Sequence, residues 1–138
     1  MPGYLGPKDM NETGVPSGTA PRVALVVEDE WLVRFEIADI LEEAGWCVLE
    51  AATGERAMEF VEEALRIDLL VTDIRLPGVV DGWEVAERLR RSRPAVFIIY
   101  CSASPPNDPR RVDDSFFLDK PCQPDVLRDH IAQCGTAV

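Results

Sequence analysis

Short apolar runs alternate with longer amphipathic segments along this chain of 138 residues. A continuously apolar run of five or so residues is typical of a strand buried in a parallel sheet, and apolar residues spaced three and four apart predict a helix. Strict alternation of the two predicts a parallel sheet covered by helices on both faces. The predicted strands are 23–27, 47–51, 68–72, 95–101 and 116–118, and the predicted helices are 31–44, 54–65, 83–91 and 125–134.

Polar residues follow four of the predicted strands. Glu28 and Asp29 come after the first strand and Asp73 after the third, while Ser102 follows the fourth and Lys120 the fifth. In a parallel sheet with right-handed crossovers, all strands open onto one carboxyl edge, where ligands bind. We therefore expect three carboxylates, a hydroxyl and an ammonium to share one pocket.

This set of groups suits a divalent cation beside a phosphoryl group carried on a carboxylate. Magnesium prefers a few carboxylates together with phosphate oxygens, and a carboxylate becomes a useful nucleophile once the phosphoryl charge is neutralised. Taken singly, each residue has a simpler interpretation. The acids at 28–30 suit a helix N-terminus, and Asp73 suits a turn before Pro77 and Gly78.

Four motifs stand at the predicted strand ends, and a fifth, at 81–84, stands at the start of the third predicted helix. They read Val-Val-Glu-Asp-Glu (26–30), Val-Thr-Asp-Ile-Arg-Leu-Pro-Gly (71–78), Asp-Gly-Trp-Glu (81–84), Ser-Ala (102–103) and Phe-Leu-Asp-Lys-Pro (117–121). Together they resemble the receiver domain of two-component response regulators over about residues 22–134. The resemblance implies an α/β, flavodoxin-like, doubly wound five-stranded parallel sheet with strand order 2-1-3-4-5. It also implies a cis peptide before Pro121.

The resemblance further implies a magnesium-dependent phosphoacceptor. In this reading Asp73 takes a phosphoryl group from a histidine kinase or phosphotransfer protein, and later loses it by autodephosphorylation. The Mg²⁺ ligands would be Glu28, Asp29, Asp73 and the backbone carbonyl of Arg75. Apart from this self-modification, no enzyme activity is implied.

Three further positions match the family's switch. Lys120 and Ser102 match its phosphate-sensing lysine and hydroxyl. Phe117 matches an aromatic residue that changes rotamer on phosphorylation, and without a hydroxyl it can respond only by packing. A purely structural role in the core is equally open for Phe117.

The sequence departs from the family pattern downstream of Asp73. The loop after it is one residue longer than the common form. Cys122 replaces a usual aromatic residue, and the 102–120 segment is about four residues short and carries Pro105, Pro106 and Pro109. Since proline lacks the amide that a helix needs, we expect a reduced or irregular fourth helix, with one turn near 109–112.

Composition divides the chain into two parts. Residues 1–21 are rich in proline and glycine and predict a flexible tail before a receiver domain at 22–138.

Charge and hydropathy limit the kinds of partner that we expect. A net charge of −11 argues against a nucleic-acid partner. No apolar stretch suits a membrane span and no signal peptide is evident, so we expect no membrane contact and a cytoplasmic location.

The chain ends soon after the last predicted helix. We therefore expect a stand-alone, single-domain receiver whose output passes through an unknown downstream protein. Val79–Val80 and Arg110–Arg111 are candidate contact points.

Two other functions remain open at this stage. The chain resembles, at its site, magnesium-dependent aspartyl phosphatases, but these place an acid two residues after the nucleophile, where Arg75 stands and cannot act as an acid or base. The other alternative function is that of a receiver-like scaffold that takes no phosphate.

Two of the cysteines have an open interpretation. Cys101 and Cys122 are predicted to flank the pocket, which leaves a redox role open beside the simpler interpretation of buried thiols.

The first predicted helix carries one more expectation. Most of its apolar residues are predicted to lie on one side, and Gly45 is predicted to end the helix; these apolar residues are Leu32, Phe35, Ile37, Ile40 and Leu41.

Overall fold

The computed structural model describes residues 21–136. The predicted tail at 1–21 therefore lies, apart from Pro21, outside the described residues and stays a prediction. The described part of the chain contains nine strands and helices. They are β1 (Val23–Val27), α1 (Trp31–Glu43), β2 (Cys47–Ala51), α2 (Gly54–Glu63), β3 (Leu69–Thr72), α3 (Gly82–Ser92), β4 (Phe97–Ser102), β5 (Ser115–Asp119) and α4 (Pro124–Thr136).

The five strands form one parallel sheet in the order β2-β1-β3-β4-β5. This confirms the predicted fold and strand order. Because every strand runs in the same direction, the carboxyl ends of β1, β3, β4 and β5 lie along one edge of the sheet.

Side chains alternate along each strand and so divide the core into two layers. In β1, Leu25 and Val27 pack in the layer that includes residues of α2 and α3, while Ala24 and Val26 pack in the layer that includes residues of α1 and α4. The central strands are buried on both faces, which explains why their sequences are continuously apolar rather than alternating.

The prediction for the apolar face of α1 was partly wrong. Ile37, Ile40 and Leu41 are buried, but Leu32 is 52% and Phe35 58% exposed. Successive helical side chains rotate by about 100°, so Phe35 lies about 200° from Ile37 around the helix. The buried stripe consists of Ile37, Ala38, Ile40 and Leu41, with Val33 partly buried beside it.

No helix lies between β4 and β5 in the described structure. Residues 103–114 instead form bends and turns, with Arg111 N donating to Asp108 O at 3.0 Å. The fourth helix of the family was expected to be reduced or irregular, and no helical residue of it is present; a hydrogen-bonded turn at 108–111 lies close to the turn predicted near 109–112. The peptide bond between Lys120 and Pro121 is cis, also as expected.

Local signals account for several element boundaries. The Thr53 hydroxyl accepts from Arg56 N and begins α2, and the Asp81 carboxylate accepts from Glu84 N and begins α3. Gly45, with φ of 97°, follows the end of α1. None of the helices in residues 21–136 has the length and apolar character needed to cross a membrane.

Candidate functional site

The acidic residues are fixed by the backbone at the carboxyl edge of the sheet. Asp73 N donates to Val27 O at 2.9 Å, which continues the β1–β3 pairing by one residue. Glu28 N donates to Ala51 O at 3.0 Å and continues the β1–β2 pairing in the same way. The acids at the ends of β1 and β3 are therefore neighbours because the sheet register makes them so.

Glu28, Asp29 and Asp73 form a cluster that could hold a metal ion. One carboxylate oxygen from each lies within 4.8 Å of the others. Glu28 and Asp73 are buried, whereas Asp29 is exposed. Oxygen ligands at this spacing, with one side open to solvent, fit a hard divalent cation that keeps several waters.

Lys120 lies between the two buried acids. Its Nζ is 2.8 Å from Asp73 Oδ2 and 2.7 Å from Glu28 Oε1, and Glu30 Oε1 is more distant at 3.9 Å. One ammonium thus compensates part of a charge of about −3 on the three clustered acids. The remaining negative charge still favours a cation on the open side of the cluster.

The pKa values of Glu28 and Lys120 are both raised, for different reasons. Burial raises the pKa of Glu28, although hydrogen bonds from Lys120 and from Glu30 N oppose this rise. For Lys120, burial favours the neutral amine, but hydrogen bonds to Asp73 and Glu28 outweigh it and raise the pKa. Lys120 is therefore a permanent cation in the neutral pH range.

The Asp73 carboxylate is held from two sides. Its Oδ1 accepts from Ile74 N at 2.6 Å while its Oδ2 accepts from Lys120. Gly82 N donates to Ile74 O at 2.8 Å, and a Cβ on Gly82 would overlap the carbonyl oxygen of Asp73. The start of α3 therefore packs directly on the backbone of Asp73, and only glycine fits there.

Ser102 lies at the end of β4 and is buried. Its backbone carbonyl accepts from Lys120 N at 3.1 Å, and its Oγ accepts from Ser104 N at 3.2 Å. The backbone thus joins Ser102 to Lys120, as expected for two residues at adjacent strand ends. The serine hydroxyl keeps its own proton as a donor.

The lengthened loop after Asp73 is fixed by Glu55 of α2. Its Oε2 accepts from Val79 N at 2.9 Å and from Val80 N at 3.3 Å. These hydrogen bonds, with the one from Val79 as the larger cause, lower the pKa of Glu55. Gly78 has φ of 88°, and a Cβ there would press against the Glu55 carboxylate.

Phe117 belongs to an aromatic cluster. Its ring centroid lies 5.9 Å from that of Tyr100 and 6.4 Å from that of Trp83, and the Arg111 guanidinium lies 5.8 Å above it. The Tyr100 hydroxyl accepts from Val112 N at 3.2 Å. The cluster thus connects β4 and β5 to the irregular 103–114 segment. A change in the packing of Phe117 would therefore alter the contacts of that segment.

The 103–114 segment is also tied to α3. Arg110 Nη1 lies 2.9 Å from Asp81 Oδ2, at the start of that helix. A cavity of about 610 Å³ lies between this segment and the loop after Asp73, and its lining includes Arg75, Val79 and Ser104. Arg75 is exposed, and the role of its carbonyl as a ligand stays a prediction.

The sequence reasoning missed three supporting groups. Glu55 holds the loop after Asp73, Arg34 Nη1 donates to Glu28 O at 2.8 Å, and Arg110 pairs with Asp81. Each acts across a turn or between elements. A local signal in the sequence was present only near Glu55: Thr53 marks the start of α2, and Glu55 lies in the first turn of that helix.

Comparison with known proteins gives a consistent result. Residues 24–132 match the family model described as the response regulator receiver domain. The chain is 29% identical to the transcriptional regulatory protein PdtaR of Mycobacterium tuberculosis over 119 residues, which is 86% of this chain and 57% of that protein. The chain thus spans little more than half the length of this curated relative.

Solved structures show the same likeness. A response regulator receiver protein from Sinorhizobium medicae superposes with a TM-score of 0.79 at 30% identity, covering 85% of this chain and 96% of that one. The receiver domain of the hybrid histidine kinase CckA superposes with a TM-score of 0.69 at 33% identity, covering 81% of this chain and 97% of that one.

Proposed function

The chain belongs to the response regulator receiver domain family, and from this premise we propose that it is a magnesium-dependent phosphoacceptor of a two-component signalling system. The observation that carries the proposal is the Lys120 ammonium held between Asp73 and Glu28, with the exposed Asp29 beside them. A nucleophilic carboxylate, a cation that can pair with phosphate and an open acidic edge are the parts that phosphoryl transfer requires.

Asp73 is the proposed acceptor. One of its carboxylate oxygens forms a bond to phosphorus, while the bond between phosphorus and a histidine nitrogen of the donor protein breaks and the nitrogen keeps the electron pair. The hydrogen bond from Ile74 N fixes the carboxylate orientation before the donor arrives. This fixed position lowers the entropic cost of the reaction.

Glu28, Asp29, Asp73 and the carbonyl of Arg75 are the proposed Mg²⁺ ligands. When bound there, Mg²⁺ would neutralise the phosphoryl oxygens during attack and during autodephosphorylation. The fit rests on the spacing of the three carboxylates and on the exposure of Asp29, which leaves the cluster open on one side.

Lys120 and Ser102 are proposed to bind the transferred group. Lys120 exchanges its contact with Asp73 for a phosphoryl oxygen, which it pairs with as a point charge. The Ser102 hydroxyl donates to a second oxygen. Since Ser104 N donates to Ser102 Oγ, movement of Ser102 would pull on the start of the 103–114 segment.

Signalling is proposed to occur through protein contacts. The phosphoryl donor would be a histidine kinase or phosphotransfer protein, and repacking of Phe117 would alter the 103–114 segment that a downstream protein reads. The net charge of −11 supports a protein rather than a nucleic acid as this partner. The cytoplasmic location stays a prediction.

Beryllofluoride with Mg²⁺ mimics a phosphoaspartate and tests the proposal directly. We expect amide chemical-shift changes around Asp73, Ser102 and Phe117 in the native chain, and none in Asp73→Asn. Asp129→Asn, which removes a charge from an exposed position on α4, is the matched control and should respond like the native chain.

Two results would contradict the proposal. A native chain that shows no Mg²⁺-dependent change would favour an interaction scaffold that takes no phosphate. Sustained hydrolysis of free phosphomonoesters, lost in Asp73→Asn, would favour an aspartyl phosphatase instead.

A further inference from the structure

One arginine contacts both sides of the acidic turn that joins β1 to α1. Arg34 N donates to Glu30 O at 2.9 Å, and Arg34 Nη1 donates to Glu28 O at 2.8 Å. The two backbone carbonyls that flank Asp29 therefore accept from the same residue. The first of these bonds belongs to the opening turn of α1, and any residue but proline could supply it. The second requires the side chain of Arg34.

The Arg34 guanidinium is itself fixed by β2. Its Nε donates to Glu50 Oε1 at 3.1 Å, and Glu50 is paired with Val26 in the β1–β2 register. The Arg34 side chain is only 20% exposed. Because a guanidinium is planar, its Nε and Nη1 donors hold fixed positions relative to each other. The contact with Glu50 thus helps to determine where Nη1 meets Glu28 O.

Hydrogen bonds and burial hold Glu28 more firmly than Asp29. Glu28 N donates to Ala51 O, its Oε1 lies 2.7 Å from Lys120 Nζ, and its Oε2 accepts from Glu30 N at 3.1 Å. Asp29 is the exposed acid of the proposed metal site. Since an exposed side chain has few packing contacts, the hydrogen bonds of its two neighbours set the backbone position of Asp29.

The charge of Arg34 opposes metal binding. A fixed cation near three clustered acids disfavours a second cation, because like charges repel. If Arg34 contributed only its charge, Mg²⁺ would bind more tightly without it. A favourable contribution to Mg²⁺ binding must therefore come from the geometry that Arg34 imposes on the acidic turn.

We propose that Arg34 is a positioning residue for the Mg²⁺ site, and that its contact with Glu28 O holds the acidic turn so that Asp29 can bind the metal. Arg34 touches neither the metal nor the phosphoryl group in this role. Residues that orient metal ligands in this way commonly change metal affinity by about 10–100-fold. The inference rests on the proposed function, since it concerns the Mg²⁺ that the phosphoacceptor would use.

Arg34→Met tests the inference in the full chain. It removes the charge and both side-chain contacts but keeps much of the aliphatic bulk. Calorimetric titration with Mg²⁺, well below the unfolding temperature, should give a dissociation constant about tenfold higher than that of the native chain. A pure charge effect would lower the dissociation constant, so the two explanations predict changes of opposite sign.

Arg34→Lys keeps the charge but loses the planar fork. A lysine ammonium cannot occupy the Nε and Nη1 positions together, so Mg²⁺ affinity should fall here too, though less than in Arg34→Met. Arg88→Met is the matched control, because Arg88 Nη2 lies 2.9 Å from Glu62 Oε2 and joins α3 to α2 by a similar ion pair. Neither residue belongs to the acidic turn, so this variant should keep native Mg²⁺ affinity.

The beryllofluoride response separates positioning from a general loss of structure. In Arg34→Met the response should require about tenfold more Mg²⁺ but reach the native amplitude once Mg²⁺ saturates the site. A structural defect would lower the amplitude at every Mg²⁺ concentration.

Three results would overturn the inference. They are native or tighter Mg²⁺ binding in Arg34→Met, native affinity in Arg34→Lys, and a reduced beryllofluoride amplitude in Arg34→Met at saturating Mg²⁺. Failure of the proposed function is a different outcome, because the native chain itself would then show no Mg²⁺-dependent response.

Discussion

The Nζ atom of Lys120 lies 2.8 Å from Oδ2 of Asp73, although the two residues are 47 positions apart in the chain. The same nitrogen also contacts Glu28, so a single cation joins the ends of β5, β3 and β1. The side chain of Lys120 is only 21% exposed, and those of both acids are nearly buried. The contact thus does two things: it stabilises the fold and holds the proposed acceptor.

Replacing Lys120 with methionine should destabilise the metal-free protein by about 1–3 kcal/mol. A fully buried pair typically costs about 3–5 kcal/mol to break, and partial exposure reduces that penalty. Added Mg²⁺ should then raise the melting temperature more in Lys120→Met than in the native chain, because the two acids have lost their cation. Urea unfolding measures the first effect, and thermal unfolding with and without Mg²⁺ measures the second.

Arg128→Met is the matched control for that experiment. Arg128 pairs with Asp125, which is almost fully exposed, so the loss of this pair should change stability by less than about 1 kcal/mol. Equal losses for the two variants would show that the Lys120 contacts contribute no more than a surface ion pair.

Asp29→Asn should weaken Mg²⁺ binding more than Glu28→Gln does. The charge of Glu28 is already compensated by Lys120, whereas exposed Asp29 is available to a hydrated cation. We expect a loss of roughly tenfold or more for Asp29→Asn, which corresponds to about 1.4 kcal/mol. Calorimetric titration with Mg²⁺ measures it, and Glu30→Gln serves as the control. Equal losses at positions 28 and 29 would argue against Asp29 as a direct ligand.

Gly82→Ala should disturb the site as well as the fold. The added Cβ would overlap the Asp73 carbonyl oxygen, so α3 must shift away from β3, at a cost of about 1–3 kcal/mol. The variant should also lose Mg²⁺ affinity. Thermal unfolding and Mg²⁺ titration check the two effects.

Gly45→Ala is the control for Gly82→Ala, because it should lower stability without changing the Mg²⁺ site. Gly45 has φ of 97° but no atom near the new Cβ, so the substitution should cost about 1 kcal/mol through backbone strain alone. Its Mg²⁺ affinity should match that of the native chain. If Gly82→Ala also keeps native affinity, the packing of α3 does not position Asp73.

The loop after Asp73 should loosen in acid. Hydrogen bonds to the Glu55 carboxylate lower its pKa below the ordinary value of 4.5, so the stabilisation is complete above pH 4.5 and is lost as pH falls through the folded pKa. The amide proton shifts of Val79 and Val80, followed by NMR, should therefore titrate with a midpoint below 4.5. Glu55→Gln should remove this titration, and a midpoint at or above 4.5 in the native chain would contradict the assignment.

Local patterns were sufficient for most of the fold. Short apolar runs marked the strands, Thr53 and Asp81 marked two helix starts, and the prolines at 105, 106 and 109 explained the absence of a helix before β5. The error at Leu32 and Phe35 came from the same kind of reasoning. Both are apolar and near the helix start, but only packing shows which side of α1 faces the sheet.

The sequence by itself determined which chemical groups stand at the carboxyl edge, because strand ends are visible in short segments and the alternation of strands with helices makes the strands parallel. Only the tertiary structure decided how those groups pair: Lys120 with Asp73 and Glu28, and Glu55 with the loop amides. These contacts join residues about 20 to 90 positions apart in the chain, and they depend on the sheet register and on the paths of the loops. Nothing in a short window of residues encodes such distances, and they are set when the strands pair and the helices pack.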